Sequence, residues 1–244
     1  MLATGAGIRG LHARPLVYHA EPGRTPLSAE KRQVLARIPP GARVLEVGAH
    51  GGYFSAALRA HGCHVTALEK DPRAAALASA HADRLLVGDA EDPAVWAALS
   101  DPVDVVCLMH VLEHFVDPWA VLRRVRTRVA VGGRALALLP NVACWRVRKA
   151  LFLAGAFEYQ ETGILDRTHL RFFTWPSARS LFEASGWTDV RLAPAEVCVP
   201  LERRLRQLPL VRRLAAPWRR ALTRRFPNLC TEIVLVEARA GAEG

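Results

Sequence analysis

Glu46, Gly48, Gly51 and Gly52 lie in the stretch RVLEVGAHGGYF, residues 43–54, whose residue types and spacing are those of a ligand-binding corner. Val44, Leu45 and Val47 read as a buried strand, the glycines as a turn, and Tyr53 with Phe54 as the start of a helix. Glycine admits positive φ and lets a ligand approach the backbone, so strand, turn and helix N-terminus together suit a nucleotide-type ligand. Glu69 stands 21 residues after Gly48, where an acid accepts hydrogen bonds from a ribose diol beside the turn. That arrangement serves both dinucleotide and S-adenosyl ligands, and the glycine spacing separates them. The dinucleotide fingerprint G-x-G-x-x-G is broken here by His50 and Tyr53. Glu46, two residues before the first glycine, is badly placed for a pyrophosphate but suits an amino-acid ammonium, directly or through water.

The elements that must position these groups alternate along the chain. Ser28 is placed to cap a helix carrying Val34, Leu35 and Ile38, which Pro39-Pro40-Gly41 ends. Strands are expected over residues 43–48, 64–69, 84–87, 103–109 and 134–139. Helices are expected between them over residues 52–61, 72–81, 92–99 and 117–130, and beyond the fifth strand over 142–157 and 174–185. Strands follow at 187–192 and 231–238. Alternation of this kind implies a parallel, doubly wound sheet whose ligands sit at the carboxyl ends of the strands. Those ends carry Gly48–Gly52, Glu69-Lys70, Asp89-Ala90, Met109–His114 and Pro140-Asn141.

Composition narrows the class. The 244 residues are 51% hydrophobic, enough for a large α/β core, yet no apolar run approaches a membrane span and the N-terminus lacks a signal-peptide pattern. Five scattered cysteines form no C-x-x-C pair, so neither a zinc site nor a disulfide frame is expected, which fits a reducing cytoplasm. The net charge is +10, and residues 200–226, with nine arginines and the single acid Glu202, carry +8 of it. The rest is nearly neutral, which argues against a surface that coats nucleic acid.

With these motifs in order, the chain resembles a class I S-adenosylmethionine-dependent methyltransferase. The five motifs are VLEVGAHGGYF, VTALEKD, GDAED, DVVCLMHVLEHFVDPWAVL and GGRALALLPN. The resemblance covers residues from about 34 to 187 and the last strand. It implies a Rossmann-like, doubly wound seven-stranded sheet, mostly parallel with an antiparallel last strand, and S-adenosyl-L-methionine as cofactor. Carried over, Glu46, Gly48 and Gly52 cradle the methionine part at the turn that leads into Tyr53. Glu69 binds the ribose hydroxyls, Lys70 lies against the adenine, Asp89 (followed by Ala90) meets the adenine amino group, and Met109 and His110 line the methionine side. His50 departs from the family pattern, standing where many members have a second glycine.

Methyl transfer from a sulfonium needs positioning, and a hydroxyl acceptor also needs a base. The candidates are His110, His114 and, in the segment DRTHLRFFT, His169 with Asp166. That segment resembles a signature of a bacterial subset associated with glycan, cell-envelope or specialised-metabolite pathways. Asp166, Arg167 and Arg171 either handle the acceptor or pair with one another to pin the loop. No residue cluster suggests a metal. The expected division is an N-terminal arm (1–27), a methyltransferase domain (28–195 and 229–240) and an arginine-rich amphipathic insert (196–228). Pro209 and Pro217 are expected to break that insert into two or three helices. It either packs as a lid or dimer face or lies on the inner membrane surface, as peripheral contact through residues 200–226. The expectation is a cytoplasmic O-methyltransferase acting on a hydroxylated small-molecule, glycan or carrier-linked acceptor, without nucleic acid. The alternatives are a non-catalytic cofactor-binding scaffold and an NAD(P)-dependent oxidoreductase.

Overall fold

The computed structural model describes residues 25–99, 101–200 and 209–241, so the expectations for the N-terminal arm and for residues 201–208 lie outside it. Seven strands form one sheet: β1 (Arg43–Val47), β2 (His64–Glu69), β3 (Arg84–Val87), β4 (Val103–Met109), β5 (Val129–Pro140), β6 (Trp187–Val197) and β7 (Thr231–Ala240). Their order is β3-β2-β1-β4-β5-β7-β6. β1 to β5 pair in parallel, and β7 runs antiparallel between β5 and β6.

Successive strand residues point to opposite faces, so a strand buried on both sides needs apolar residues at nearly every position. Leu45 and Val47 of β1, with Val106 and Leu108 of β4, join one core cluster. Helices α4 (Pro93–Ala97), α5 (Pro118–Arg126) and α7 (Trp175–Ala184) cover that face. Val44, Val65, Val105 and Leu136 point to the other face, covered by α1 (Ala29–Leu35) and α2 (Tyr53–Ala60).

Three helices begin at an Asp-Pro pair. Asp71, Asp92 and Asp117 accept hydrogen bonds from the N–H of Arg73, Ala94 and Ala120, while the following proline fills the first helical position, where no N–H is needed. These caps start α3 (Pro72–Ala78), α4 and α5 at the carboxyl ends of β2, β3 and β4.

Several boundaries differ from the sequence expectation. α5 stops at Arg126 and β5 begins at Val129, which pairs with Val103, so Gly132 and Gly133 lie inside the irregular start of the strand. Added at Gly133, a Cβ would sit 2.8 Å from the Asp104 carbonyl oxygen, a close approach of strands that only glycine permits. β6 runs on to Val197 through Pro194, which an edge strand tolerates because its outer N–H has no ladder partner. β7 likewise extends to Ala240, and α6 (Trp145–Ala154) is shorter than expected. Ser28 occupies the position before α1, but its hydroxyl makes no capping bond and the helix ends before Ile38. Within the arginine-rich stretch the described residues form one helix, α8 (Pro209–Arg225), and Pro217 lies inside it without ending it. A short helical turn, Pro227–Cys230, leads into β7, where fully buried Asn141 donates its Nδ2 hydrogens to the carbonyls of Asn228 and Thr231. Among the described residues no helix is long and apolar enough to cross a membrane.

Candidate active site

The strand order reverses direction between β1 and β4, and the carboxyl ends of β2, β1 and β4 meet there. Gly48 follows β1 with φ +75°, and a Cβ on it would lie 2.7 Å from Val111 Cγ2. Gly52 has φ +80°, and its Cβ would lie 2.9 Å from the Ala78 Cα, so both positions exclude a side chain. His50, between them, is also left-handed, at φ 48°. Such a conformation costs a non-glycine residue about 1–2 kcal/mol. Its N–H donates to Glu69 Oε2 at 2.7 Å, a charge-assisted bond that holds the strained turn. Glu69 Oε1 accepts from the Asp71 N–H at 2.9 Å. One carboxylate therefore joins the glycine turn to the start of α3 and keeps a second lone pair on each oxygen.

Beneath the turn, Glu46 is 2% exposed and accepts a hydrogen bond from Ser55 Oγ at 2.5 Å. Burial pushes its carboxyl up from 4.5 to about 7 despite that bond and the Lys31 ammonium. Lys31, from α1, lies over the Tyr53 ring at 4.9 Å, and burial lowers its pKa against the pull of Glu46. The Tyr53 hydroxyl donates to the Pro26 carbonyl and accepts from the Ser28 N–H, which ties the segment before α1 to the first turn of α2.

The remaining residues expected at a cofactor site line the same edge. Lys70 is exposed at the end of β2. Asp89 is exposed after β3 and accepts from the Glu91 N–H, while the Ala90 carbonyl accepts from Trp96 Nε1. Met109 is buried at the end of β4, and His110 follows with φ 57°.

A second group of side chains forms next to this corner. Leu112–His114 make a single 3-10 turn after β4, and the Glu113 carbonyl accepts from the N–H of both Leu170 and Arg171. That clasp lays the loop containing DRTHLRFFT against the turn. It places His114 and His169 edge to face, with ring centroids 4.9 Å apart. His114 Nδ1 is 3.2 Å from the Thr168 carbonyl, and His169 Nδ1 is 3.0 Å from the Ile164 carbonyl. Each Nδ1 faces an acceptor and carries the proton, so in the neutral rings Nε2 bears the lone pair. Burial lowers the pKa of His169 and holds its ring neutral, against the attraction of Glu113.

Glu113 is 1% exposed, and among the described residues neither carboxylate oxygen has a hydrogen-bond partner. His169 Nε2 lies 3.9 Å and His110 Nδ1 3.7 Å from its Oε1. Glu113, His114 and His169 offer ligand atoms that all lie within 4.8 Å of one another, a set that could hold a metal ion. The sequence alone shows no such cluster, because the clasp joins groups that the chain keeps far apart. Asp166 is not among those ligand atoms but its charge acts on the His169 ring, and its Oδ1 accepts from the N–H and hydroxyl of Thr168, which shapes the loop. Arg167 pairs with Glu161, while Arg171 donates to the Val116 carbonyl and faces the Trp119 ring. Glu113 and Lys31 are not among the candidates that the sequence offers, which in the fourth motif are Met109, His110 and His114.

A family model described as a methyltransferase domain matches residues 20–192. The ubiquinone biosynthesis O-methyltransferase of Xylella fastidiosa is 36% identical over 103 residues, covering 40% of this chain and 42% of that protein. That of Aeromonas salmonicida is 36% identical over 100 residues, covering 38% and 41%. The chain thus spans about two-fifths of the length of these curated relatives. A SAM-dependent methyltransferase from Archaeoglobus fulgidus superposes with a TM-score of 0.60 at 16% identity, over 86% of this chain and 94% of that one. Phosphoethanolamine N-methyltransferase 2 of Haemonchus contortus, in complex with S-adenosyl-L-methionine, gives 0.52 at 13% identity, over 87% and 52%. At such identities these structures show a shared fold.

Proposed function

The chain belongs to the family of S-adenosylmethionine-dependent methyltransferases, and from that premise we propose that it methylates an oxygen of a hydroxylated small-molecule, glycan or carrier-linked acceptor. The observation that carries the cofactor side of this reading is the Glu69 carboxylate, which ties the glycine turn to α3 and keeps one lone pair per oxygen for a ribose diol. Gly48 and Gly52 would cradle the methionine part, where a Cβ has no room. Glu46 would face its ammonium. Lys70, Asp89 and Ala90 would flank the adenine, and Tyr53, Met109 and His110 would complete the cleft. The bound cofactor supplies an electrophilic methyl group on a sulfonium. The chain's own task is to hold the acceptor oxygen in line with it and remove its proton.

His114 takes that proton in our reading. It is the more exposed of the two paired histidines, and Nδ1 toward Thr168 leaves Nε2 as the base. His169 and Glu113 stand behind it, and the proton gained by His114 would be stabilised by the buried carboxylate. Asp166 is a loop-shaping residue. The word O-methyltransferase in the names of the curated relatives favours oxygen over nitrogen. We keep the division into an N-terminal arm, a methyltransferase domain and an arginine-rich insert. A cytoplasmic location fits this reading, with exposed Arg220, Arg224 and Arg225 of α8 available to an anionic membrane surface or a second copy.

Calorimetric titration with S-adenosylmethionine, S-adenosylhomocysteine and NAD tests the assignment. Micromolar binding of the adenosyl ligands without NAD binding supports it and justifies screening hydroxylated acceptors; binding of none of the three overturns it.

A further inference from the structure

We propose that Glu113, His114 and His169 form a binding site for one divalent transition-metal ion of the zinc or manganese class. Two independent observations carry this. The first is the convergence of three ligand atoms from two chain segments within 4.8 Å of one another. The second is Glu113 itself: a carboxylate 1% exposed, with both oxygens unpartnered among the described residues. A buried carboxylate without hydrogen bonds is costly, and proteins satisfy such groups by pairing or by metal coordination.

The tautomers sharpen the point. His169 commits Nδ1 to the Ile164 carbonyl and His114 commits Nδ1 to Thr168, so each ring turns a lone pair away from those contacts. His169 Nε2 faces Glu113 Oε1 at 3.9 Å, beyond hydrogen-bond distance and with room for an ion between the two atoms. Ligands about 2.0–2.2 Å from a common zinc ion stand roughly 3–4 Å apart, so a small side-chain adjustment brings this set to coordination. The backbone carbonyls on each Nδ1–H are the outer hydrogen bonds that metal-binding histidines use to fix their orientation. Two imidazoles and one carboxylate favour zinc, manganese or iron over magnesium, which prefers oxygen ligands and retained water.

Whether the ion binds does not depend on the assignment above; what it does there deepens that assignment. With the ion bound, His114 would be held as a ligand and an acceptor hydroxyl on the ion would lose its proton more readily to water; without it, His114 remains the base.

The full chain, freed of metal by chelator and dialysis, is titrated with zinc sulfate, manganese chloride and magnesium chloride by calorimetry and thermal melting. Bound metal is counted by elemental analysis, and S-adenosylhomocysteine affinity is measured in parallel. The expected result is one zinc or manganese ion per chain, a raised melting temperature, and far weaker magnesium binding. Glu113→Gln and His169→Asn should each weaken the ion at least about tenfold while adenosyl affinity, which also reports folding, is retained; His114→Asn, at a more exposed position, is the second arm should either variant fail to fold. No micromolar ion binding, or full binding kept by the folded variants, overturns the site. Ion binding without adenosyl binding would instead sink the methyl-transfer reading and leave this site standing.

Discussion

Replacing Glu46 by Gln should strengthen the empty protein and weaken its hold on cofactor, two effects of opposite sign from one atom's change. Burial moves the Glu46 carboxyl from 4.5 to about 7. The folded state therefore holds this proton more tightly than the unfolded chain does, and stability falls as pH climbs between those values. At ~1.4 kcal/mol for each pH unit, the ionised carboxylate costs about 3 kcal/mol at pH 8. Gln keeps an acceptor for Ser55 but adds an amide N–H₂ with no partner, which returns about 1 kcal/mol. The net gain of about 2 kcal/mol corresponds to roughly 4–8 °C in melting temperature for a chain of this size. Near pH 5 the wild-type carboxyl is already protonated, so the variant should melt level with it or slightly lower. Scanning calorimetry of both proteins at pH 5 and pH 8, without ligand, reads the difference directly. In the same samples at pH 8, S-adenosylhomocysteine affinity should fall about tenfold, or ~1.4 kcal/mol, because the ammonium loses its counter-charge. A variant that melts lower at pH 8, or by the same amount at both pH values, would refute the account of Glu46 as a strained buried charge.

Gly48→Ala forces a Cβ to 2.7 Å from Val111 Cγ2 at φ +75°, and should cost about 1–3 kcal/mol along with cofactor binding. Adding Val111→Ala should return part of the stability in thermal melts, and strict additivity of the two changes would sink the clash as its cause. Glu69→Ala should abolish adenosyl binding and speed hydrogen exchange at the His50 and Asp71 amides, which lose their acceptor; unchanged affinity would remove Glu69 from the site. His114→Gln should lower kcat roughly 10²–10⁴-fold, with S-adenosylhomocysteine affinity unchanged, and an unaltered kcat would transfer the base role elsewhere.

The strands and the glycine turn between β1 and α2 were legible because their determinants are local. A strand buried on both faces must be apolar nearly throughout, and a turn that excludes Cβ must use glycine. The Asp-Pro pairs at residues 71, 92 and 117 likewise wrote the helix starts into adjacent letters. What could not be read was contact between distant segments. Glu113 gains its neighbour His169 only because the N–H groups of Leu170 and Arg171 clasp its carbonyl, a contact between segments more than fifty residues apart. Boundaries failed where pairing overrode punctuation: Gly132 and Gly133 read as a break yet sit in β5, and Pro217 reads as a stop yet sits in α8. His50 marks a milder case, in which a hydrogen bond from its own N–H compensates for a missing glycine.

The placement of β7 between β5 and β6 imposes an order of assembly. β6 is synthesised before β7 but has no neighbour in the sheet until Thr231–Ala240 arrives to pair with it on one side and with β5 on the other. On a ribosome that emits the chain from its N-terminus, β1 to β5 can pair early, while β6 waits with its hydrogen-bonding edge uncovered. Asn141 waits as well, since its two carbonyl partners, Asn228 and Thr231, lie immediately before that strand and at its first residue. The long-range closure at this edge is thus the step at which the nascent protein is most open to mispairing, and the half that carries the glycine turn can be complete before it occurs.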